Sequence, residues 1–133
     1  KYPGTPNLLL NTFDEEPFEL FGKTIIPIEV LHGKMPITSF RIDDFTYITD
    51  GKTVTNESKE KIKGTKILVI NAVREEPHYS HFNLEEALAF IDEMKVEKAY
   101  LIHISHRFDR HTDIQKKLPT HVSAAYDGLQ LEV

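Results

Sequence analysis

Residues 66–104, KILVINAVREEPHYSHFNLEEALAFIDEMKVEKAYLIHI, decide the fold. The stretch opens with KILVI (66–70), a nearly continuous apolar run of the kind found in strands covered on both faces. After a polar loop, Asn83 supplies a helix cap and Glu86, three residues on, completes a capping-box pair. Leu84, Ala87, Leu88 and Ile91 then recur on one face of a helix spanning 84–95. AYLIHI (99–104) is a second buried-type strand. Strand, helix and strand in this order make a βαβ unit, whose two strands should be parallel neighbours joined by a right-handed crossover.

Upstream, KTIIPIEVL (23–31) is rich in β-branched residues, and Pro27 within it marks an edge strand or a bulge. Residues 38–42 and 45–49 are two further strands, and the two-residue connection Asp43-Asp44 joins them as a hairpin whose second strand ends at Asp50-Gly51. Between 55 and 64, Thr55 or Asn56 caps a short charged helix that stops at Gly64. Downstream, Asp109 caps a last short helix ended by Pro119, and HVSAAYDGLQLEV (121–133) reads as a hairpin around Asp127-Gly128. The first 22 residues hold three prolines and no sustained period, an irregular lead-in with a short extended piece at 8–10. The expected class is α/β with a mixed sheet, in one unit over 23–133.

Composition narrows the function. The 133 residues suit one folded unit, and 40% hydrophobic with 28% charged residues describes a core with an ordinary solvated surface. A net charge of −5 offers no footprint for gripping an extended phosphate backbone. No cysteine is present, which removes disulfides, thiol nucleophiles and cysteine zinc sites, so a metal would have to be held by His and carboxylate. No apolar run approaches the roughly 20 residues that cross a bilayer, and the expected location is the cytoplasm.

The chemistry concentrates at strand ends. His32 follows the strand 23–31, Asp50 follows FTYIT, His81 lies in the loop after 66–70, and His103 is near the end of AYLIHI. Three of the four have a plain structural reading: His32-Gly33 and Asp50-Gly51 as turns, His103 as a buried ring satisfied by a carbonyl. Residues 106–111 read as a solvated charged loop. Together they place metal-compatible groups where open α/β sheets carry their ligands, at the ends of strands.

The words IEVLHGKMPI (28–37), YITD (47–50), PHYSHF (77–82) leading into LEEA (84–87), LIHISH (101–106) and YDG (126–128) occur in this order in metallo-β-lactamase-fold hydrolases. Over about residues 23–133 the chain resembles bacterial cyclic-phosphate phosphodiesterases of the phosphoribosyl type, and more distantly the tRNA 3′-end processing endonucleases. The resemblance implies the C-terminal half of an αβ/βα sandwich. It also implies two divalent metal ions, Zn²⁺ or Mn²⁺, with His32 on one ion, Asp50 bridging and His103 on the other. His81 is then the residue that transfers a proton to the leaving oxygen, and His106 has a supporting place. The family's leading motif, His-x-His-x-Asp-His, does not occur here, since no histidine precedes His32. The chain is therefore expected to be half of a longer enzyme, a metal-dependent phosphodiesterase acting on a small phosphorylated metabolite. The alternatives are a catalytically inert packing or dimerisation unit, which leaves a homodimer open as a partner, and an RNA-end-processing nuclease.

Overall fold

A computed structural model describes Gly4, Pro6 and residues 8–132. Seven strands form one sheet in the order of the chain: β1 (Phe18–Leu20), β2 (Lys23–His32), β3 (Met35–Ile42), β4 (Phe45–Ile48), β5 (Ile67–Asn71), β6 (Lys98–Ile102) and β7 (Val122–Ala124). The first four pair antiparallel, and the pairs from β4 to β7 are parallel. Each parallel step needs a crossover, and three helices supply them: α1 (Asn56–Ile62), α2 (Leu84–Met94) and α3 (His111–Lys117). Because the strand order advances in one direction, crossovers of one hand put all three helices on one face. β5 and β6 are parallel neighbours joined through α2, as the 66–104 stretch predicts.

Alternation along the strands sorts the two faces. Ile28, Val30, Ile48, Leu68, Ile70, Leu101 and Val122 point toward the helices and meet Ile62, Ala87, Phe90, Ile91 and Ile114 in one buried core. Register fixes the other face: Pro27 stands opposite Phe40, Phe40 opposite Tyr47, Tyr47 opposite Val69 and Val69 opposite Tyr100. None of the three helices packs on this second apolar face, although Phe13 reaches it with its ring centroid 5.7 Å from that of Phe40. Pro27 is tolerated inside β2 because β1 pairs only with Lys23–Ile25 and the next bridge on that side is at Leu31, so the strand is an edge at Pro27.

α2 has the capping box that Asn83 and Glu86 foretell. Asn83 Oδ1 accepts the Glu86 N–H at 2.9 Å, and Glu86 Oε2 accepts the Asn83 N–H at 3.0 Å. The helix ends one residue earlier than the periodicity suggests, at Met94, because Lys95 turns left-handed with φ 54°. Thr55 caps α1 through its side chain.

Four local expectations are corrected. The lead-in is not wholly irregular, since β1 forms where Phe18, Glu19 and Leu20 find Lys23–Ile25 as a partner; residues 8–10 form no strand and are exposed. β6 stops at Ile102, two residues before the apolar run ends, because His103 adopts φ 58°. Asp109 does not cap α3: the cap position is Arg110, with no side-chain bond, while the Asp109 carboxylate accepts from Lys117. Residues 121–132 are not a hairpin; β7 pairs parallel with β6, and Asp127-Gly128 closes a tight turn with no returning strand among the described residues. No helix among the described residues is long and apolar enough to cross a membrane.

Candidate metal centre

Strand direction explains why distant residues meet. β2 runs opposite to β3 and β3 opposite to β4, so β2, β4, β5 and β6 all point the same way. Their carboxyl ends share one rim, and His32, Asp50, Asn71 and His103 lie at those ends, with His81 on the loop that leaves β5. Asp50 Oδ1 is 3.2 Å from His103 Nε2 and 3.4 Å from His81 Nε2. One ligating atom from each of Asp50, His81 and His103 falls within a 4.8 Å cluster. His32 is beside this group without entering it, its ring centroid 4.7 Å from that of His81 and nearly perpendicular to it. His106 is exposed on the turn after His103 and makes none of the polar contacts of the cluster.

The backbone bends that aim these side chains are strained and held. Asp50 and His103 both have positive φ, 50° and 58°, a region that non-glycine residues visit rarely and that is enriched at functional sites. Asn71, fully buried at the end of β5, grips the residue after Asp50: its Oδ1 accepts the Gly51 N–H at 2.8 Å and its Nδ2 donates to Gly51 O at 2.9 Å. Gly51 O also accepts the Phe82 N–H at 2.8 Å, which ties the His81 loop to the Asp50 turn. A side chain at Gly51 would come within 3.0 Å of Ile48 Cγ2 and 3.4 Å of Asn71 Oδ1, so a larger residue there would press on the side chains that hold the turn. His103 is bracketed by Ala72 N–H donating to Ile102 O and Ser105 N–H donating to Val73 O, each at 3.0 Å.

Electrostatics follow from the crowding. His81 is the most enclosed of the three, its side chain 13% exposed against 40% for Asp50 and 44% for His103. Burial, and then the neighbouring His103, His78 and His32 rings, hold His81 below the ordinary histidine range, with only Asp50 pulling the other way. His78 is lowered too, by burial first and then by Arg74, Lys52 and the nearby rings. His81 is thus a neutral imidazole near neutral pH. Two imidazoles around one carboxylate oxygen form the oxygen and nitrogen donor set that suits a borderline divalent cation, and the open side leaves room for water or substrate. Asp50, His81 and His103 are the residues that could hold a metal.

The family model of the beta-lactamase superfamily domain matches residues 5–104. The chain belongs to this superfamily. Its fold is likewise that of solved superfamily members. A diphosphatase from the PhnP family shares 34% identity at a TM-score of 0.87 over 91% of this chain and 47% of that one. The metallo-beta-lactamase fold protein YhfI from Bacillus subtilis shares 20% at 0.74, over 90% and 54%. Human tRNase Z, short form, shares 16% at 0.64, over 84% and 42%. A curated relative, an octanoyltransferase of Porphyromonas gingivalis (strain ATCC BAA-308 / W83), is 34% identical over 131 residues, which are 97% of this chain but 27% of that protein. The chain thus spans about a quarter of the curated relative and about half of the PhnP-family structure.

Two site residues escape the sequence reading. Asn71 terminates an apolar strand with a buried amide, and this break in the KILVI pattern was the available signal. His78 precedes His81 by three residues in PHYSH, a spacing that carries no periodic rule in a loop.

Proposed function

We propose that this chain contributes half of the active site of a metal-dependent phosphodiesterase whose substrate is a small phosphorylated metabolite. The observation that carries the reading is the convergence of Asp50, His81 and His103, delivered by three separate loops to within 4.8 Å. An inert packing unit has no need to gather a carboxylate and two imidazoles at one point, two of the three, Asp50 and His103, on strained backbone. The diphosphatase relative, 34% identical, supports phosphoryl chemistry, and the net charge of −5 disfavours an extended polyanion.

Asp50 and His103 would hold divalent ions, Zn²⁺ or Mn²⁺, with His32 at the near edge and further ligands from the rest of the protein. The bound ions would supply charge neutralisation at the phosphoryl oxygens and a more acidic water. Asp50, whose Oδ1 faces both imidazoles, would be the carboxylate that holds the metal at the centre of the site. His81 would work through Nε2, first taking up a proton there and then giving it to the leaving oxygen, a role worth typically 10²–10⁴-fold. The enclosure of His81 sets its orientation, while His103, more exposed, borders the cavity of about 370 Å³ that Ile104, Tyr126 and Asp127 also line.

The test is turnover of bis(p-nitrophenyl) phosphate by the full-length protein, with metal content measured alongside. Asp50→Ala should abolish turnover and lower bound metal. His81→Ala should slow turnover by about 10²–10⁴-fold and leave metal content unchanged. Equal metal loss in both variants would make His81 a ligand, and no metal-dependent turnover in the wild-type protein would refute the reading.

A further inference from the structure

The loop before α2 carries a second histidine that the metal centre does not use. His78 is partly buried, and its Nδ1 lies 3.1 Å from Nδ1 of His81. Two ring nitrogens at that separation need one proton between them, since two lone pairs would repel. A third group decides which ring owns it: the backbone N–H of Ser80 donates to His78 Nδ1 at 3.3 Å. A peptide N–H can only donate, so His78 Nδ1 is an acceptor and the shared proton belongs to His81. The Ser80 hydroxyl, 3.1 Å from His81 Nδ1, could donate to an unprotonated ring, but that arrangement would leave the two Nδ1 lone pairs facing each other. With the proton on His81 Nδ1, the Ser80 oxygen is a second acceptor for it, and these two acceptors at 3.1 Å compete with the Asp50 carboxylate oxygen, which stands further off, 3.4 Å from Nε2.

We propose that His78 is a positioning residue: by accepting the Nδ1 proton of His81, it fixes that ring's tautomer and presents Nε2 to Asp50 and His103. The inference rests on the functional reading only in taking Nε2 as the working nitrogen of His81. A free neutral histidine in water prefers its proton on Nε2, so the pairing inverts the ordinary choice. His78 is itself held in place by its chain. Arg74, through Nη2, donates to Pro77 O at 2.6 Å and, through Nε, to Glu76 O at 3.3 Å, closing the turn that leads into His78. Partners of this kind on the outer nitrogen of a site histidine fix its tautomer and orientation, and a carbonyl or carboxylate often fills the place that His78 takes here.

The test is nitrogen-detected magnetic resonance of the metal-free full-length protein labelled with ¹⁵N-histidine, near neutral pH. His81 should show a protonated Nδ1 and an unprotonated Nε2. His78→Phe should shift His81 toward the Nε2-protonated form, and His78→Gln, whose side-chain carbonyl can accept the same proton, should restore the wild-type pattern. A wild-type His81 protonated on Nε2, or a His78→Phe protein with the pattern unchanged, would overturn the proposal. If His78→Phe does not fold, the wild-type spectrum decides alone. Absence of phosphodiester turnover alongside the expected ring pattern would count against the functional reading and not against His78.

Discussion

Asn71→Leu isolates the clamp that sets the Asp50 turn. The replacement keeps the approximate volume of a side chain that is fully buried and removes two hydrogen bonds to Gly51. The two bonds are not equivalent. Gly51 O keeps its second donor, the Phe82 N–H at 2.8 Å, so losing the Asn71 donor costs only the net worth of a hydrogen bond, about 0.5–1.5 kcal/mol. Among the described residues the Gly51 N–H has no other partner, so it is left unsatisfied in a buried place, which costs about 1–3 kcal/mol. The sum is about 1.5–4.5 kcal/mol, to be read from urea unfolding as a lower midpoint at unchanged slope. Asn71→Asp adds a control with an opposite pH signature. Its carboxylate still accepts from Gly51 N–H, but sets a charged oxygen against Gly51 O. Burial and that contact would raise its pKa in the folded state, so the deficit should shrink as pH falls and the acid regains a donor. An Asn71→Leu protein within about 0.5 kcal/mol of wild type, with metal affinity unaltered, would refute the idea that this amide holds the turn.

Three further outcomes are expected. Ser39 Oγ is buried without a partner on the helix-facing side of β3, so Ser39→Ala should be neutral or stabilising by up to about 1 kcal/mol in the same unfolding assay. For Glu86, burial pushes the carboxyl up, but the Lys52 ammonium and the Asn83 N–H outweigh it and hold it below its ordinary range. A depressed folded-state pKa gives stability that is present above the unfolded value, near 4.5, and is lost as pH falls through the folded one; the gap between wild type and Glu86→Gln should therefore narrow on acidification below about pH 4. Lys95 caps α2 at φ 54° with no polar side-chain contact among the described residues, and Lys95→Gly should raise stability by about 0.5–1 kcal/mol, measured as an increase in Tm.

Local pattern carried the elements whose partners are near in sequence. The capping box at Asn83 and Glu86 lies within four residues, and the Asp43-Asp44 hairpin within two, so both were readable. β1 was not, because its three residues have no strand character beyond what pairing with Lys23–Ile25 confers. The end of β6 was misplaced for a related reason: Ile104 continues the apolar run, but the His103 bend is imposed by Ala72 and Val73, thirty residues away, which claim the flanking backbone groups. The parallel pairing of β7 with β6 equally overrode a turn signal at Asp127-Gly128 that was real but closed no hairpin. Of the site, strand-end position was legible for Asp50, His81 and His103, whereas the interval that separates His32 from their cluster depends on how the His81 ring lies across it.

That ring is also where folding and chemistry are coupled. His81 is held from the outside by Ser80 and His78, and its flanking backbone is tied to Gly51 by the Phe82 N–H. Gly51 is in turn held by Asn71, which ends the first strand of the βαβ unit. The loop and the Asp50 turn therefore form one hydrogen-bonded assembly anchored in the core, and not two independent surface loops. Strain at Asp50 and His103 can persist because the groups on either side of each bend are already satisfied, which makes any other course of the backbone cost buried hydrogen bonds. A carboxylate and two imidazoles are thereby kept at 3.2 and 3.4 Å by the scaffold itself, so little ordering entropy remains to be lost when a cation is captured there.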